Sequence, residues 1–314
     1  MRLSAVDIRG LAVFRAIVEH GGFAGAQLAL SMSQSTISFH LKALEERLGF
    51  SLCRRGRRGF ELTARGAAVY EQSQALATTL GTFESRLGEL RDRAIGALRV
   101  GIVDTTLTDE ELGMADVINR FVNKASEVDL RITIASPEQL ISEMAKGGLD
   151  LAISPRIEPL PGYRQVNFHQ EIHSLYCSRR HPLFDRRAIT KTDAEAYPFV
   201  VRPYANRSEL RHFPNVEVRA HASNMEAQAM HVLSGRMLGY LPDHAARIWG
   251  AGGRLRALLV SETQLCSQFA IVSSGQQEPS LPHRLFVDEL LRRARSAATA
   301  TTAKPKPPAN KRRR

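Results

Sequence analysis

Residues 33–49 constrain this 314-residue chain more than any other segment; they read Ser-Gln-Ser-Thr-Ile-Ser-Phe-His-Leu-Lys-Ala-Leu-Glu-Glu-Arg-Leu-Gly. Ile37, Leu41, Leu44 and Leu48 recur at i, i+4, i+7 and i+11, which is one apolar face of a helix. The opposite face holds Gln34, Ser35, Ser38 and Lys42. A helix built only for solubility would favour Glu and Lys at its exposed start. Short hydroxyls and an amide suit a helix that hydrogen-bonds base edges and phosphates.

The flanking residues frame this helix. Leu11, Phe14 and Val18 form the apolar stripe of a preceding helix. A short helix over Phe23 to Ala29 is entered through Gly21-Gly22, and Leu30 and Met32 anchor the connection that follows. Ser33 is a good N-cap, and Gly49 stands where a left-handed C-cap belongs. Helix, short helix, tight turn and polar-faced helix is the order of a helix-turn-helix unit. After Gly49 the period becomes two in Phe50–Cys53 and again in Phe60–Leu62, around Arg54-Arg55-Gly56-Arg57-Arg58-Gly59. This predicts a hairpin, or wing, with a basic tip. A helical stretch then runs from Thr63 to about Arg93, long enough for a dimerising connector through Val69, Leu76, Leu80, Phe83, Leu87 and Leu90.

Residues 8 to 66 resemble the winged helix-turn-helix of the LysR-type transcriptional regulators. The resemblance rests on Phe14, Gly22-Phe23, Ala26, Leu30, Ser33-Gln34, Ile37-Ser38, Leu41, Leu44-Glu45, Leu48-Gly49, Leu52, Arg55, Arg58-Gly59, Leu62-Thr63 and Gly66. Many spaced matches make it specific. The chain departs from the family pattern at Gln27, Ser35 and Phe39. Phe39 stands where the family often places a DNA-contacting arginine.

Charge is unevenly placed. Residues 1–100 carry fourteen Lys and Arg against nine Asp and Glu, and residues 296–314 carry six basic residues and no acidic one. The stretch between balances at twenty-three of each. Basic ends on a neutral middle fit a nucleic-acid-binding module attached to a small-molecule-binding body. Three cysteines form no disulfide pattern, no apolar stretch spans a membrane, and no secretory leader is evident, so the sequence reads as cytoplasmic.

The body alternates strands and helices. Ala97–Val103, Leu130–Ala135 and Leu149–Ser154 read as strands, with helices over about 109–123 and after Ser136-Pro137. Short links argue for a parallel sheet covered on both faces. A second block has strands over 172–177, 199–202, 216–220 and 239–241, and 269–272 returns to the first block. Leu281–Arg295 is a closing helix, and the tail from Ser296 is expected to be disordered. Gly148–Ile153, His181-Pro182-Leu183 and Gly235 through Gly239 to Leu241-Pro242 match the family's effector domain, which resembles periplasmic binding proteins.

The expected organisation is therefore an N-terminal all-α winged helix-turn-helix (1–62), a linker helix (63–95), and a C-terminal α/β effector domain of two Rossmann-like lobes (96–295). Lobe I takes in about 96–164 and 268–295, and lobe II about 165–267. A basic tail (296–314) completes the chain. The segment Pro203–Asn215 is too short for the full helix that the family usually has there, so lobe II is expected to be trimmed.

Ser33, Gln34, Ser35, Thr36, Ser38, His40 and Lys42 are the candidates for contact with double-stranded DNA, with Arg55, Arg57 and Arg58 on the wing. Phe39 either meets a thymine methyl group or packs inward. Ligands of α/β folds sit beyond strand C-termini near helix N-termini. Thr105, Thr106, Ser136, Ser154, Arg202, Ser223 and Asn224 are therefore the candidates for a small anionic metabolite effector, Arg202 by bidentate pairing. Each serine or threonine alternatively caps its own helix, and Arg202 alternatively forms an ion pair. His169, His173, Cys177 and His181 are spaced by four, a metal-ligand spacing on a helix, but this segment reads as a strand broken by Pro182. A redox pair of Cys177 and Cys266 is the other minor reading. No catalytic motif, cofactor or metal is expected. The resemblance implies a ligand-responsive homodimer that can pair into a homotetramer. The alternative is a solute-binding or catalytic α/β protein with an appended DNA unit.

Overall fold

The computed structural model describes residues 3–56, 59–91, 93–158, 160–276 and 278–302. Arg57, Arg58 and the last twelve residues of the basic tail lie outside the described residues. Two compact units are present. The first takes in the chain to Glu84 and the second most of the remainder.

In the first unit, α1 (Ala5–Glu19), α2 (Phe23–Leu30) and α3 (Gln34–Leu48) precede the hairpin β1 (Cys53–Gly56) and β2 (Gly59–Leu62) and the 26-residue α4 (Ala64–Glu89). The α1 face that enters the core is Val13, Phe14 and Ile17. Leu11 and Val18, expected there, flank it half-buried. Ile37, Leu41 and Leu44 of α3 and Leu52 complete the core. Ser33 Oγ accepts from Thr36 N at 3.2 Å, and Gly49 closes α3 at φ 78°. Both are the caps expected from sequence. Glu45 Oε1 accepts the amide of Leu52 at 2.6 Å and so ties α3 to the start of the hairpin. Thr63 caps α4, its hydroxyl accepting from Gly66 N at 2.9 Å. A Cβ on Gly66 would lie 1.9 Å from the Leu52 carbonyl oxygen, so only glycine lets α4 start this close to the hairpin.

The second unit carries a mixed sheet. β3 (Ile95–Ile102) pairs in parallel with β4 (Glu127–Ile134) and β5 (Leu151–Pro155). β6 (Tyr163–Ser178) and β11 (Leu265–Ser274) pair antiparallel over ten residues, and β11 also runs antiparallel to β5. The expected parallel sheet holds only for three strands, because the chain returns to lobe I along β11 rather than through a helical crossover. In lobe I, α5 (Met114–Lys124) meets α12 (Leu281–Thr302) through Phe121 and Phe286, with ring centroids 5.2 Å apart. α6 (Pro137–Ala145) lies on β3 where Gly101 leaves room for Leu140. Asp150 accepts from Arg99 N at 2.8 Å and pairs with its guanidinium at 2.6 Å, which gives the Gly148–Ile153 motif a structural role.

Lobe II holds α7 (Lys191–Glu195), β7 (Phe199–Val201), α8 (Asn206–Glu209), β8 (Val218–His221), α9 (Met225–Leu233), β9 (Gly239–Pro242), α10 (Asp243–Trp249), β10 (Leu255–Leu258) and α11 (Val260–Thr263). β9 and β10 pair antiparallel with the far half of β6. β7 and β8 form a separate parallel pair. β10 was not visible in the sequence. The segment expected to be short holds a 3-10 turn at Pro203–Ala205 and the single turn of α8. β6 and β11 run through both lobes, so the expected boundaries at 164/165 and 267/268 fall inside continuous strands. The helix expected from Asp109 starts at Met114 instead, because Asp109 Oδ1 accepts the amides of Glu111 and Leu112 in a tight turn. The tail is helical through Thr302 rather than disordered from Ser296, since alanines extend α12.

Candidate functional site

The first candidate surface is the start of α3. Ser33, Gln34 and Ser35 are exposed, Thr36 and Ser38 are half-exposed, and Lys42 projects into solvent. Ser33 Oγ lies 2.8 Å from Ser35 Oγ and 2.7 Å from Thr36 Oγ1, so the hydroxyls form one connected set at the helix N-terminus, where amides and dipole favour a phosphate. Among the described residues no partner holds the Gln34 amide, which leaves it able to pair with a base edge. Phe39 is 69% exposed and does not pack inward. His40 is half-buried with Nδ1 enclosed, and its ring meets that of Phe39 edge-on with centroids 5.7 Å apart. Arg55 is on β1, and its register partner is Phe60.

The second candidate surface is where β6 and β11 join the lobes. A cavity of about 450 Å³ opens here. Pro137 and Glu138 at the start of α6, Pro155 and Arg156 after β5, Arg202, Tyr204, Ser208 and Arg211 of the trimmed segment, and Gln268 of β11 contribute to its wall. Of the seven expected effector contacts, only Arg202 lines it. Arg202 is 8% exposed. Its Nε and Nη2 both lie 3.0 Å from Glu209 Oε1, its amide donates to Glu209 Oε2, and Nη1 donates to Tyr204 Oη at 3.1 Å. The ion-pair alternative therefore describes Arg202. Burial alone would favour its neutral form, but the Glu209 carboxylate holds it charged.

The hydroxyls expected to bind ligand are engaged locally. Ser136 caps α6, exchanging bonds with Gln139, and Ser154 is fully buried and donates to the Pro155 carbonyl. Thr105 donates to the Asp104 carbonyl and Thr106 to that of Val103. Asn224 Oδ1 accepts from Ala227 N at 2.8 Å, which caps α9, and Ser223 is exposed beside it. The next amide, Met225 N, is taken by the Asp104 carboxylate. Asp104 thus sits where an anion was expected. Burial pushes its carboxyl above the ordinary range, against the opposing pull of Met225 N and Arg202.

Sequence reading missed Asp104, Tyr204, Ser208 and Arg211. Single charged or polar residues outside any motif carry no pattern. It also missed a buried cluster. Asp109 Oδ2 lies 2.6 Å from His169 Nε2, Glu171 Oε2 lies 2.6 Å from His173 Nε2, and His244 Nε2 lies 3.0 Å from Glu171 Oε1. Against the burial that would raise it, hydrogen bonds from His173 and His244 hold the Glu171 carboxyl at about 2. His169, His173, Cys177 and His181 are not a ligand set: the His181 ring meets Tyr197 edge-on with centroids 4.5 Å apart. Burial pushes the Cys177 thiol up to about 11. Cys266 faces Ile172 across the β6–β11 pair, five residues along the strand from Cys177, or roughly 16 Å, too far for a disulfide.

Residues 8–67 match the family described as bacterial regulatory helix-turn-helix protein, lysR family, and residues 91–295 match the LysR substrate binding domain. The chain is 33% identical over 296 residues to the HTH-type transcriptional activator BauR of Pseudomonas aeruginosa, covering 91% of this chain and 95% of that protein. It is 25% identical over 274 residues to the HTH-type transcriptional regulator CbbR of Xanthobacter flavus, covering 84% and 81%. Among solved structures, CbnR, a LysR family transcriptional regulator, aligns with a TM-score of 0.65 at 19% identity, covering 91% of this chain and 99% of that one. CbnR complexed with its target DNA aligns with a TM-score of 0.64 at 18% identity, covering 92% and 99%. Two family matches that together span residues 8–295, and a relative alike along nearly its whole length, make one conclusion: this chain belongs to the LysR family of DNA-binding transcriptional regulators, with an N-terminal helix-turn-helix and a C-terminal substrate-binding domain.

Proposed function

We propose that Gln34, Ser35, Thr36 and Ser38 read base edges in the major groove, with Ser33 and Lys42 on the flanking phosphates and Arg55, Arg57 and Arg58 of the wing gripping the backbone. The exposed, unpaired Gln34 amide on a capped helix N-terminus is the observation that carries this reading. His40, half-buried, contributes to packing beneath that face. The effector is a small anionic metabolite held in the 450 Å³ cavity, where no carboxylate pairs with Arg211 among the described residues. Arg202 shapes that cavity and is not the primary anion contact. Thr105, Thr106, Ser136, Ser154, Ser223 and Asn224 hold the surrounding turns in place. The protein performs no catalysis, in keeping with relatives that are regulators, and acts in the cytoplasm, where its DNA lies. No helix among the described residues is long and apolar enough to cross a membrane.

The DNA assignment is tested by titrating cognate and scrambled duplexes at two salt concentrations. Gln34→Ala should cost about 1–3 kcal/mol on the cognate site and relax preference at one base pair. Arg58→Ala should weaken both duplexes alike and lower the salt slope by about one. Equal losses on both duplexes for Gln34→Ala would remove this helix as the sequence reader.

A further inference from the structure

We propose that Asp109, Glu171 and His244 form a binding site for a divalent transition cation that pins lobe I, the hinge strand β6 and lobe II together. One oxygen of each carboxylate and one nitrogen of His244 lie within 4.8 Å of one another, and all three residues are buried. His244 Nε2 is 3.0 Å from Glu171 Oε1 and 3.7 Å from Asp109 Oδ2. Donor atoms held about 2.1 Å from one tetrahedral zinc are spaced by roughly 3.4 Å, which falls between these separations.

The proton inventory around His244 supplies an independent reason. Thr108 Oγ1 donates its only proton to the Thr105 carbonyl at 2.9 Å. It therefore accepts from His244 Nδ1, 2.8 Å away, and Nδ1 carries a hydrogen. That leaves Nε2 to face both carboxylates and to hydrogen-bond Glu171, and a cation entering between them takes the place of the Nε2 proton while Nδ1–H stays on Thr108.

Each ligand has the outer partner that metal ligands require. The other oxygen of Asp109 accepts the amides of Glu111 and Leu112 at 3.0 and 2.9 Å. The other oxygen of Glu171 bonds His173 at 2.6 Å. His244 is oriented by Thr108. His169 Nε2 donates to Asp109 Oδ2 at 2.6 Å and holds that oxygen in place. Two carboxylates and an imidazole, with no thiolate, select zinc, manganese or iron(II) in preference to copper(I). Thr108 and Asp109 follow β3 of lobe I, Glu171 lies on β6, and His244 opens α10 of lobe II. Occupancy therefore fixes the spacing of the lobes at the point where they hinge.

The experiment uses tag-free full-length protein, stripped with chelator, dialysed against zinc or manganese chloride and analysed for metal by mass spectrometry, with calorimetric titration in parallel. One equivalent per chain is expected for the wild type, with a rise in melting temperature on loading. His244→Ala and Glu171→Gln should each lose that equivalent. Thr108→Val, which keeps every ligand but removes the acceptor for Nδ1–H, should weaken affinity about 10–100-fold. Circular dichroism confirms that each variant is folded. Cobalt(II) loading should give a visible ligand-field spectrum without a sulfur charge-transfer band. Binding below one equivalent in the folded wild type, or binding that Thr108→Val and His244→Ala leave unchanged, overturns the proposal. His244 is then an imidazolium bridging two carboxylates.

Discussion

Arg202 and Glu209 show how burial decides what a charged residue does. Both are almost fully enclosed, and the guanidinium meets the carboxylate through two nitrogens and its own backbone amide. Gln228 Nε2 also donates to Glu209 at 3.1 Å. Removing one partner leaves a buried unpaired charge. Arg202→Ala should therefore lower unfolding stability by about 3–5 kcal/mol in a urea titration, a larger effect than loss of a surface ion pair. His181 makes a second prediction. Burial lowers its pKa below the ordinary 6.5, and its Nδ1 accepts from Leu183 N at 3.2 Å, which fixes the neutral form. Such a group binds fewer protons folded than unfolded below 6.5, so its contribution is complete above about 6.5 and is lost as pH falls from there towards the depressed folded value. His181→Asn keeps an acceptor without the titration. Its melting temperature should fall less than that of the wild type between pH 7.5 and 5.5.

Among the elements, α4 carries the clearest unpartnered face. Leu80, Phe83 and Leu87 of α4, and Leu90 in the turn just after it, are 38, 59, 45 and 83% exposed, at spacings of three and four, and Leu76 is half-buried in line with them. A stripe of that length in water marks a pairing surface. LysR regulators form oligomers, and we propose that this helix is the element through which this chain pairs. Phe83→Asp combined with Leu87→Asp should convert the dimer to a monomer in sedimentation at micromolar concentration and weaken DNA binding, since one half-site gives little affinity. The apolar repeat of α4 was legible in the sequence because a 3.6-residue period survives without tertiary information. The caps Ser33 and Gly49 were legible for the same reason: they satisfy local backbone groups. β10 escaped notice because Leu255-Arg256-Ala257-Leu258 is a strand only through its pairing with β6.

At the scale of the whole effector domain, two strands that pass through both lobes leave little freedom except at the hinge. The register shift between Phe269 and Ala270 lies on that path. A ligand in the proposed cavity would touch α6 and β5 of lobe I, β11, and the trimmed segment of lobe II, and so would bias the lobe spacing through differential contacts. Arg211→Ala should abolish the thermal stabilisation that a carboxylate metabolite gives the wild type, while DNA binding without ligand stays intact. A carboxylate that stabilises both proteins equally would move the anion contact away from Arg211.

The sequence by itself determined the helix-turn-helix, the connector helix, the two-lobed body and the polar face at the start of α3, because each rests on a local period, cap or spaced motif. It could not place the effector. Ser136, Ser154 and Asn224 have the composition of ligand contacts, yet caps and neighbouring carbonyls take their hydrogen bonds. Asp104 on one lobe found the amide of Met225 on the other. Asp109, Glu171 and His244, separated by 62 and 73 residues, meet only because β6 passes between the lobes. Tertiary structure alone decided which polar groups were satisfied by the protein and which remained for a partner, since a hydrogen bond between distant segments leaves no period in the chain.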